Sequence, residues 1–389
     1  MSTSEVSPED FVDILDSLRD FIREEVVPRE REIAESNAIP ADLRVKTKDL
    51  GLFGYAISQE WGGIGLDPLQ EAELAIELGY ATLAFRSMFG TNNGIAGQVI
   101  AGYGTEEQKS KWLPAIASGE VVASFALTES GAGSNPASIR TRAVKAGDGW
   151  KITGSKRFIT NAPDADIFIT FARAVDGESG EEKVEVFIIP ASSSGVSVGP
   201  ADKKMGQAGA LTADVNFDEV EVPGEALIGG RPGIGYRAAM TSLAKGRITI
   251  AALAVGQAQR ALDESLEYAA TAQQGDQVIG DFQLVQAMLA DQQVGVSTGR
   301  AVVLDSARRY MEGVDTRVAP SVAKLYCTEM AGRVADLAVQ VHGGSGYMQD
   351  YAVERIYRDV RLLRLYEGTS EIQRLIIGSN LLKAQRAAM

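Results

Sequence analysis

The stretch Tyr366-Glu367-Gly368-Thr369-Ser370-Glu371-Ile372-Gln373 gathers groups able to do acid–base chemistry. One carboxylate, Glu367, stands beside a glycine. Four arginines precede it between Arg355 and Arg364, and the apolar run Leu375-Ile376-Ile377 follows. A Thr or Ser ahead of a helical pattern is an N-cap signal, because its oxygen accepts orphan backbone N–H bonds. Glu367 is therefore expected in a turn between two helices, where Gly368 lets other groups approach the backbone. A carboxylate so placed is either a base or a solvated surface charge. Since the chain has 52 acidic residues, its context must decide.

Two further segments carry groups suited to a ligand. Leu127-Thr128-Glu129-Ser130-Gly131-Ala132-Gly133-Ser134-Asn135 follows a strand-like run. Such a loop aims backbone N–H groups and hydroxyls at a polar ring edge or a phosphate. It is not a P-loop, since no Gly-Lys-Ser/Thr follows, and it lacks the strand–helix setting of a dinucleotide fingerprint. Arg157-Phe158-Ile159-Thr160-Asn161 offers an aromatic to stack on a flat heterocycle and a hydroxyl to bond it; a core Phe beside a turn is the plain alternative. The single Cys327 and single His342 exclude an internal disulfide and argue against a zinc site. No Gly-x-Ser-x-Gly elbow supports a nucleophile paired with His342.

The elements that must position these groups fall into three blocks. Ser7-Pro8-Glu9-Asp10 reads as a helix start, and Phe11, Ile14, Leu15, Leu18, Phe21 and Ile22 mark one apolar face. Pro28 ends or kinks that helix. Helical patterns follow over 40–50, 68–79, 83–103 and 105–119. Gly90, Gly94, Ala96 and Gly97 within the third imply either tight packing or room for an acyl chain. From residue 121 the pattern turns to short strands, with 149–153 and 157–160 read as separate ones, as far as Val222. After Tyr236 it becomes helical again, over 236–274, 282–312, 320–342, 351–361 and beyond Thr369. The expected domains are 1–120, 121–234 and 235–389. The net charge of −14 opposes nucleic-acid binding. The polar, acidic start shows no signal peptide, and no window holds eighteen uninterrupted apolar residues. A cytoplasmic location is the expectation.

Taken together, Leu127 to Asn135, Lys156 to Asn161, Gln340-Val341-His342-Gly343-Gly344-Ser345-Gly346-Tyr347 and Tyr366 to Gln373 resemble the acyl-CoA dehydrogenase family. Glu106-Glu107-Gln108-Lys109, Trp112-Leu113, Gly246-Arg247, Phe282-Gln283 and Glu354-Arg355 through Arg358-Asp359 also fit. The resemblance spans nearly the whole chain. It implies an α+β multidomain fold: a helical N-terminal domain, a central β-barrel and a C-terminal four-helix bundle. It implies FAD, and a homotetramer (or a homodimer) whose neighbouring subunit completes the flavin site. Phe125, Leu127, Thr128, Gly133 and Ser134 would line flavin and substrate. Phe158, Ile159 and Thr160 would border the isoalloxazine, and Gln283, Gln340, Gly343 and Gly344 would hold the dinucleotide part. Thr369 and Glu371 would lie near the cofactor, and Ser134, Arg247 and Gly368 near the acyl-CoA.

The implied reaction makes trans-2-enoyl-CoA, with Glu367 taking the α-proton, flavin N5 the β-hydride and an electron-transfer flavoprotein the electrons. Hydrogen bonds to the thioester carbonyl, one from the Glu367 N–H, would stabilise the enolate, and desolvation would strengthen the base. Some branches of the family carry the base just before the arginine matching Arg247; here that residue is Gly246. Ala272 and Gly275-Asp276 replace the family's usual Arg and Phe-Gly at a flavin-pyrophosphate contact, so FAD retention is expected to be weaker. Alternatives on the same scaffold are a flavin oxidase, other CoA-thioester chemistry and an FAD-free acyl-CoA-binding relative.

Overall fold

The computed structural model describes residues 5–175 and 182–389. Met1 to Ser4, part of the segment read for a leader, lie outside the described residues. Chain order is helices, sheet, helices. The first block holds α1 (Pro8–Phe21), α2 (Glu30–Ser36), α3 (Ala41–Asp49), α4 (Pro68–Leu78), α5 (Leu83–Asn93), α6 (Ile95–Tyr103) and α7 (Glu106–Ala117). Their starts follow the cap chemistry. The Ser7 hydroxyl accepts the Asp10 N–H at 3.1 Å, and Asp67 with Gln70 and Thr105 with Gln108 form capping boxes.

As expected, the first helix does not continue past Pro28: a π-turn over Ile22–Val26 and a 3₁₀ turn over Val27–Arg29 lead from α1 to α2. These turns accommodate the missing proline N–H. Elsewhere, two boundaries differ from the sequence expectation. The single helix expected over 83–103 is two, broken at Gly94, whose φ/ψ of −90°/−109° is not helical. The two strands expected over 149–160 are one.

The middle of the chain is a curled seven-stranded sheet. Its strands are β1 (Ala123–Ala126), β2 (Arg142–Ala146), β3 (Gly149–Thr160), β4 (Ile167–Val175), β5 (Glu182–Pro190), β6 (Val196–Val198) and β7 (Thr212–Val222). The order is β1-β4-β2-β3-β7-β6, with β5 on β4; β1 runs parallel to β4, pairing Phe125 with Ile169. The long β3 pairs antiparallel with β7 through two irregularities, at 152/154 and 156/159. Bulges of this kind re-aim side chains. The second turns Phe158 outward, at φ +58° and 58% exposed, between buried Lys156 and Ile159.

The last block begins with α8 (Gly235–Thr271), then a two-stranded hairpin of β8 (Gln273–Gln274), at the end of the expected helix, and β9 (Gln277–Val278). It ends with α9 (Gln283–Met311), α10 (Val318–His342), α11 (Ala352–Val360) and α12 (Ser370–Ala388). By length and composition α8 is apolar enough to cross a membrane, yet 72% of that stretch is buried inside the protein. Its run from Ile248 to Val255 packs with α4, α9 and α10 in one hydrophobic core.

The helix α5 links the blocks through buried asparagines. Asn92 donates to the Ile116 and Val121 carbonyls at 3.0 and 2.8 Å and accepts the Ala123 N–H at 2.9 Å, fixing where β1 begins. Asn161, after β3, donates to the Ser87 carbonyl at 2.8 Å and the Thr91 hydroxyl at 3.1 Å. On the far side, the Gln207 N–H donates to buried Asp359 on α11, joining the sheet to the bundle. Replacing Asn92 with Ala removes three hydrogen bonds to the backbone, among them that of the buried Ala123 N–H. We expect N92A to lose about 3 kcal/mol of unfolding free energy, read as a lower denaturant midpoint at unchanged slope.

Candidate active site

Glu367 sits in the turn between the short helix Arg361–Arg364 and α12, at φ +52°, with Gly368 beside it at φ +91°. A left-handed φ is unusual for a residue with a Cβ, and side chains held that way cluster at functional sites. Three contacts hold the turn. Thr369 caps α12, accepting the Ile372 N–H at 3.4 Å. Gln373 Nε2 donates to the Gly368 and Glu367 carbonyls at 2.9 and 3.3 Å. Lys324 on α10, wholly buried, donates from Nζ to the Gly368 carbonyl at 2.6 Å.

The turn aims the carboxylate at the backbone of α8. A Cβ built on Gly246 would lie 2.2 Å from Glu367 Oε2 and 3.4 Å from Ile95 Cγ2. The bare backbone at Gly246 thus leaves room for the Glu367 carboxylate, which an added side chain would displace. Oε2 is sealed from solvent and has no hydrogen-bond partner, although the residue as a whole keeps some exposed surface. Burial raises the Glu367 pKa above the ordinary carboxylate range, against the opposing charges of Arg86, Lys324 and Arg247. Those cations feel the burial too. Lys324 is pushed down to about 8 by desolvation, partly offset by Glu367, and Arg247 is lowered for the same reason. Among the described residues none accepts the Glu367 backbone N–H, which is therefore free to meet a ligand oxygen.

The residues expected to line a flavin gather at the end of β1. Phe125 packs on Phe171 with ring centroids 4.8 Å apart, and Leu127 is buried. The Thr128 carbonyl accepts the Arg157 N–H at 2.8 Å, bringing the loop against Phe158, Ile159 and Thr160. The clamp between them is a buried ion pair: Lys156 Nζ lies 2.8 Å from Glu129 Oε1 and donates to the Leu127 carbonyl at 3.1 Å. Glu129 also accepts the Thr141 hydroxyl at 2.6 Å. Gly133 and Ser134 are exposed, and nothing lies within 4 Å of where a Gly133 Cβ would be. An outward aromatic beside an open glycine loop fits the face of a flat heterocycle.

The other sequence candidates separate in space. Gln283 opens α9, and Gln340, Gly343 and Gly344 stand exposed at the end of α10; among the described residues no hydrogen bond joins these four to the sheet. Glu371 is exposed, and its hydrogen bond with Thr369 holds its pKa low. Ala272 closes α8, and the hairpin after it, turning at Gly275, contains no cation. His342 stacks on Tyr268 at 4.3 Å and Cys327 is buried, so neither serves as a nucleophile or its partner here. A cavity of about 290 Å³ lined by Arg23, Glu77, Tyr80, Gln259, Asp263 and Arg300 includes none of these groups.

Sequence reasoning missed Arg86 and Lys324. Each is a lone cation on an otherwise apolar helix face: Arg86 between Phe85 and Phe89, Lys324 between Ala323 and Cys327. That pattern was the available signal, since a charge on a core-facing stripe needs a partner.

Family models of acyl-CoA dehydrogenases match three successive stretches: the N-terminal domain over 8–120, the middle domain over 124–220 and the C-terminal domain over 233–382. The chain belongs to the acyl-CoA dehydrogenase family. It is 37% identical over 365 residues to an acyl-CoA dehydrogenase of Bacillus subtilis, covering 94% of this chain and 96% of that one. It is 36% identical over 366 residues to the caffeyl-CoA reductase-Etf complex subunit CarC of Acetobacterium woodii, with the same coverage of each. The butyryl-CoA dehydrogenase structure from Megasphaera elsdenii superposes with a TM-score of 0.91 at 31% identity, over 98% of this chain and all of that one. Acyl-CoA dehydrogenases are FAD-dependent oxidoreductases, and the outward Phe158 and open glycine loop suit that cofactor's ring system.

The Gly246 contact yields a direct test. An added methyl in G246A must push the carboxylate from its resting place. We expect G246A to keep its fold, read by circular dichroism, and to lose roughly 100-fold or more in kcat, the scale of a misplaced acid–base group.

Proposed function

We propose that this acyl-CoA dehydrogenase oxidises the Cα–Cβ bond of an acyl-CoA to the trans-2-enoyl-CoA, with Glu367 removing the α-proton. The observation that carries this reading is Glu367 Oε2, sealed from water, unpartnered and seated against Gly246. An α C–H of a thioester is a weak acid, so the base must be strengthened and the enolate stabilised. Burial does the first by raising the proton affinity of Glu367. The free Glu367 N–H does the second as a donor to the thioester oxygen, a contribution of about 3–4 kcal/mol. Bound FAD supplies the acceptor for the β-hydride.

Phe158, Ile159 and Thr160 border the flavin ring, together with Phe125, Leu127, Thr128, Gly133 and Ser134. Thr369 and Glu371 stand near it. Arg247, Gly368 and Ser134 meet the acyl-CoA. Gln283, Gln340, Gly343 and Gly344 lie exposed and away from the sheet, which supports their holding the dinucleotide part of a neighbouring copy's cofactor in a homotetramer. Leu284 and Val294 on α9 and Leu375, Leu381 and Leu382 on α12 stand exposed, consistent with such assembly. Without a cation at Ala272, the pyrophosphate is held more weakly. An electron-transfer flavoprotein is the proposed acceptor, supported by the Etf complex in the name of the Acetobacterium woodii relative. That relative is a reductase; in that direction protonated Glu367 would return the proton to the α-carbon, while the β-hydride would come from reduced flavin.

Glu367→Gln should cut turnover with any accepted acyl-CoA by about 1,000-fold or more while flavin absorbance is kept. Near-wild-type turnover would remove Glu367 from the reaction. A second expectation concerns pH. A base acts only when ionised, and burial raises its pKa, so kcat/KM in the dehydrogenation direction rises with pH through a value above the ordinary glutamate pKa of about 4.3. A profile flat down to that ordinary value would contradict the buried-base reading.

A further inference from the structure

Lys324 lies on the core-facing side of α10, wholly buried, with Ala323, Cys327 and Ala331 buried beside it. A lysine taken out of water normally meets a carboxylate. This one does not. Among the described residues its Nζ has one hydrogen-bond acceptor, the Gly368 carbonyl at 2.6 Å, and no carboxylate in ion-pair contact. That carbonyl already accepts Gln373 Nε2 at 2.9 Å. An uncharged amide thus suffices to hold the turn, and burying an ammonium there is costly unless its charge has a use.

The acids near Lys324 show what that use is. Glu329 is held by Arg364 at 3.3 Å and by Ser370 at 2.6 Å, and Glu371 is exposed. Glu367 remains, sealed at Oε2 and unpartnered. Lys324 grips the backbone beside Glu367 and leaves its carboxylate alone; direct pairing would weaken the base. The grip pins a turn in which Glu367 stands at φ +52° and Gly368 at φ +91°, and this turn sets the direction of the free Glu367 N–H. Proton abstraction moves negative charge from the carboxylate to the thioester oxygen. Both ends of that path are at Glu367, its side chain and its N–H. A cation bonded to the adjoining residue therefore stays close to the charge throughout.

We propose that Lys324 is a positioning residue for proton abstraction: bonded to the Gly368 carbonyl, its ammonium holds the Glu367 N–H on the thioester oxygen and keeps a positive charge beside the enolate that forms there. In that step the α C–H bond breaks, its proton passes to the Glu367 carboxylate and its electron pair stays on the substrate as the enolate. Lys324 neither gives nor takes a proton. This role rests on the dehydrogenase reading above.

The test uses FAD-loaded full-length protein with two variants. K324M keeps a comparable length without donor or charge, and K324Q keeps a donor without charge. A bound 3-oxoacyl-CoA can lose an α-proton but has no β-hydrogen to transfer, so its enolate absorbance against pH reports enolate stabilisation apart from turnover. In both variants the apparent pKa of the bound 3-oxoacyl-CoA should rise by about one unit or more, a tenfold or greater loss of enolate. Turnover of a saturated acyl-CoA should fall about 10- to 100-fold in kcat. The Kd of a CoA thioether that cannot enolise should stay within about threefold, with denaturant midpoints showing that each variant is folded. Adding K324M to E367Q should give the same rise, because no carboxylate at 367 remains to be perturbed. An unshifted pKa in K324M overturns the proposal, as does a shift that K324Q restores, which would make Lys324 a plain clamp, or one absent from the E367Q background. A wild type that leaves the bound 3-oxoacyl-CoA no more acidic than in solution also overturns it. If no acyl-CoA turns over, the dehydrogenase reading fails, and the enolate pKa alone upholds or overturns the role of Lys324.

Discussion

The structure around Glu367 depends on keeping one carboxylate out of water without letting it pair. Glu367 approaches three cations, yet Oε2 hydrogen-bonds to none of them and rests on the bare backbone of Gly246. Full pairing with an arginine would stabilise the carboxylate and weaken it as a base. Burial without any cation would raise its proton affinity further. The arrangement sits between these limits: desolvation raises its proton affinity while Arg86, Lys324 and Arg247 restrain the rise from a distance.

Holding that balance requires a rigid turn, and its supports come from separate parts of the chain. Lys324 on α10 grips the Gly368 carbonyl, and Gln373 on α12 grips the same carbonyl from the other side. Gly246 on α8 and Arg86 on α5 bring the other walls. The left-handed Glu367 is a strained residue that persists because these contacts over-determine it. The sheet is tied into the same frame through Asn92 and Asn161, which fix β1 and the end of β3 to α5. The proposed flavin surface around Phe158 and the wall bearing Arg86 are thus anchored to one helix.

A second buried pair has a different character. Lys156 and Glu129 are in direct contact, and Glu129 is further bonded to Thr141. Here the carboxylate pKa is lowered, which suits a clamp and not a base. Removing either partner would strand a buried charge, so the pair fixes how the loop from Leu127 lies against β3. Two buried glutamates thus shift in opposite directions, according to whether the nearest cation touches the carboxylate.

The sequence by itself determined the order of helices, strands and helices, most caps, the turn holding Glu367 and the emptiness of Gly246. These are local: caps, periodicity and glycine positions act within a few residues of chain. It could not show why Gly246 must be empty, since that follows from a contact between α8 and a turn 121 residues later, read from the two residue numbers. Nor could it show Gly94 breaking a helix, or β3 continuing through its bulges, because pairing with β7 decides that strand. Arg86 and Lys324 read as ordinary charges until the fold brought them around Glu367. Electrostatic surroundings are set by distance in space and by exclusion of water, and only the tertiary structure decides both.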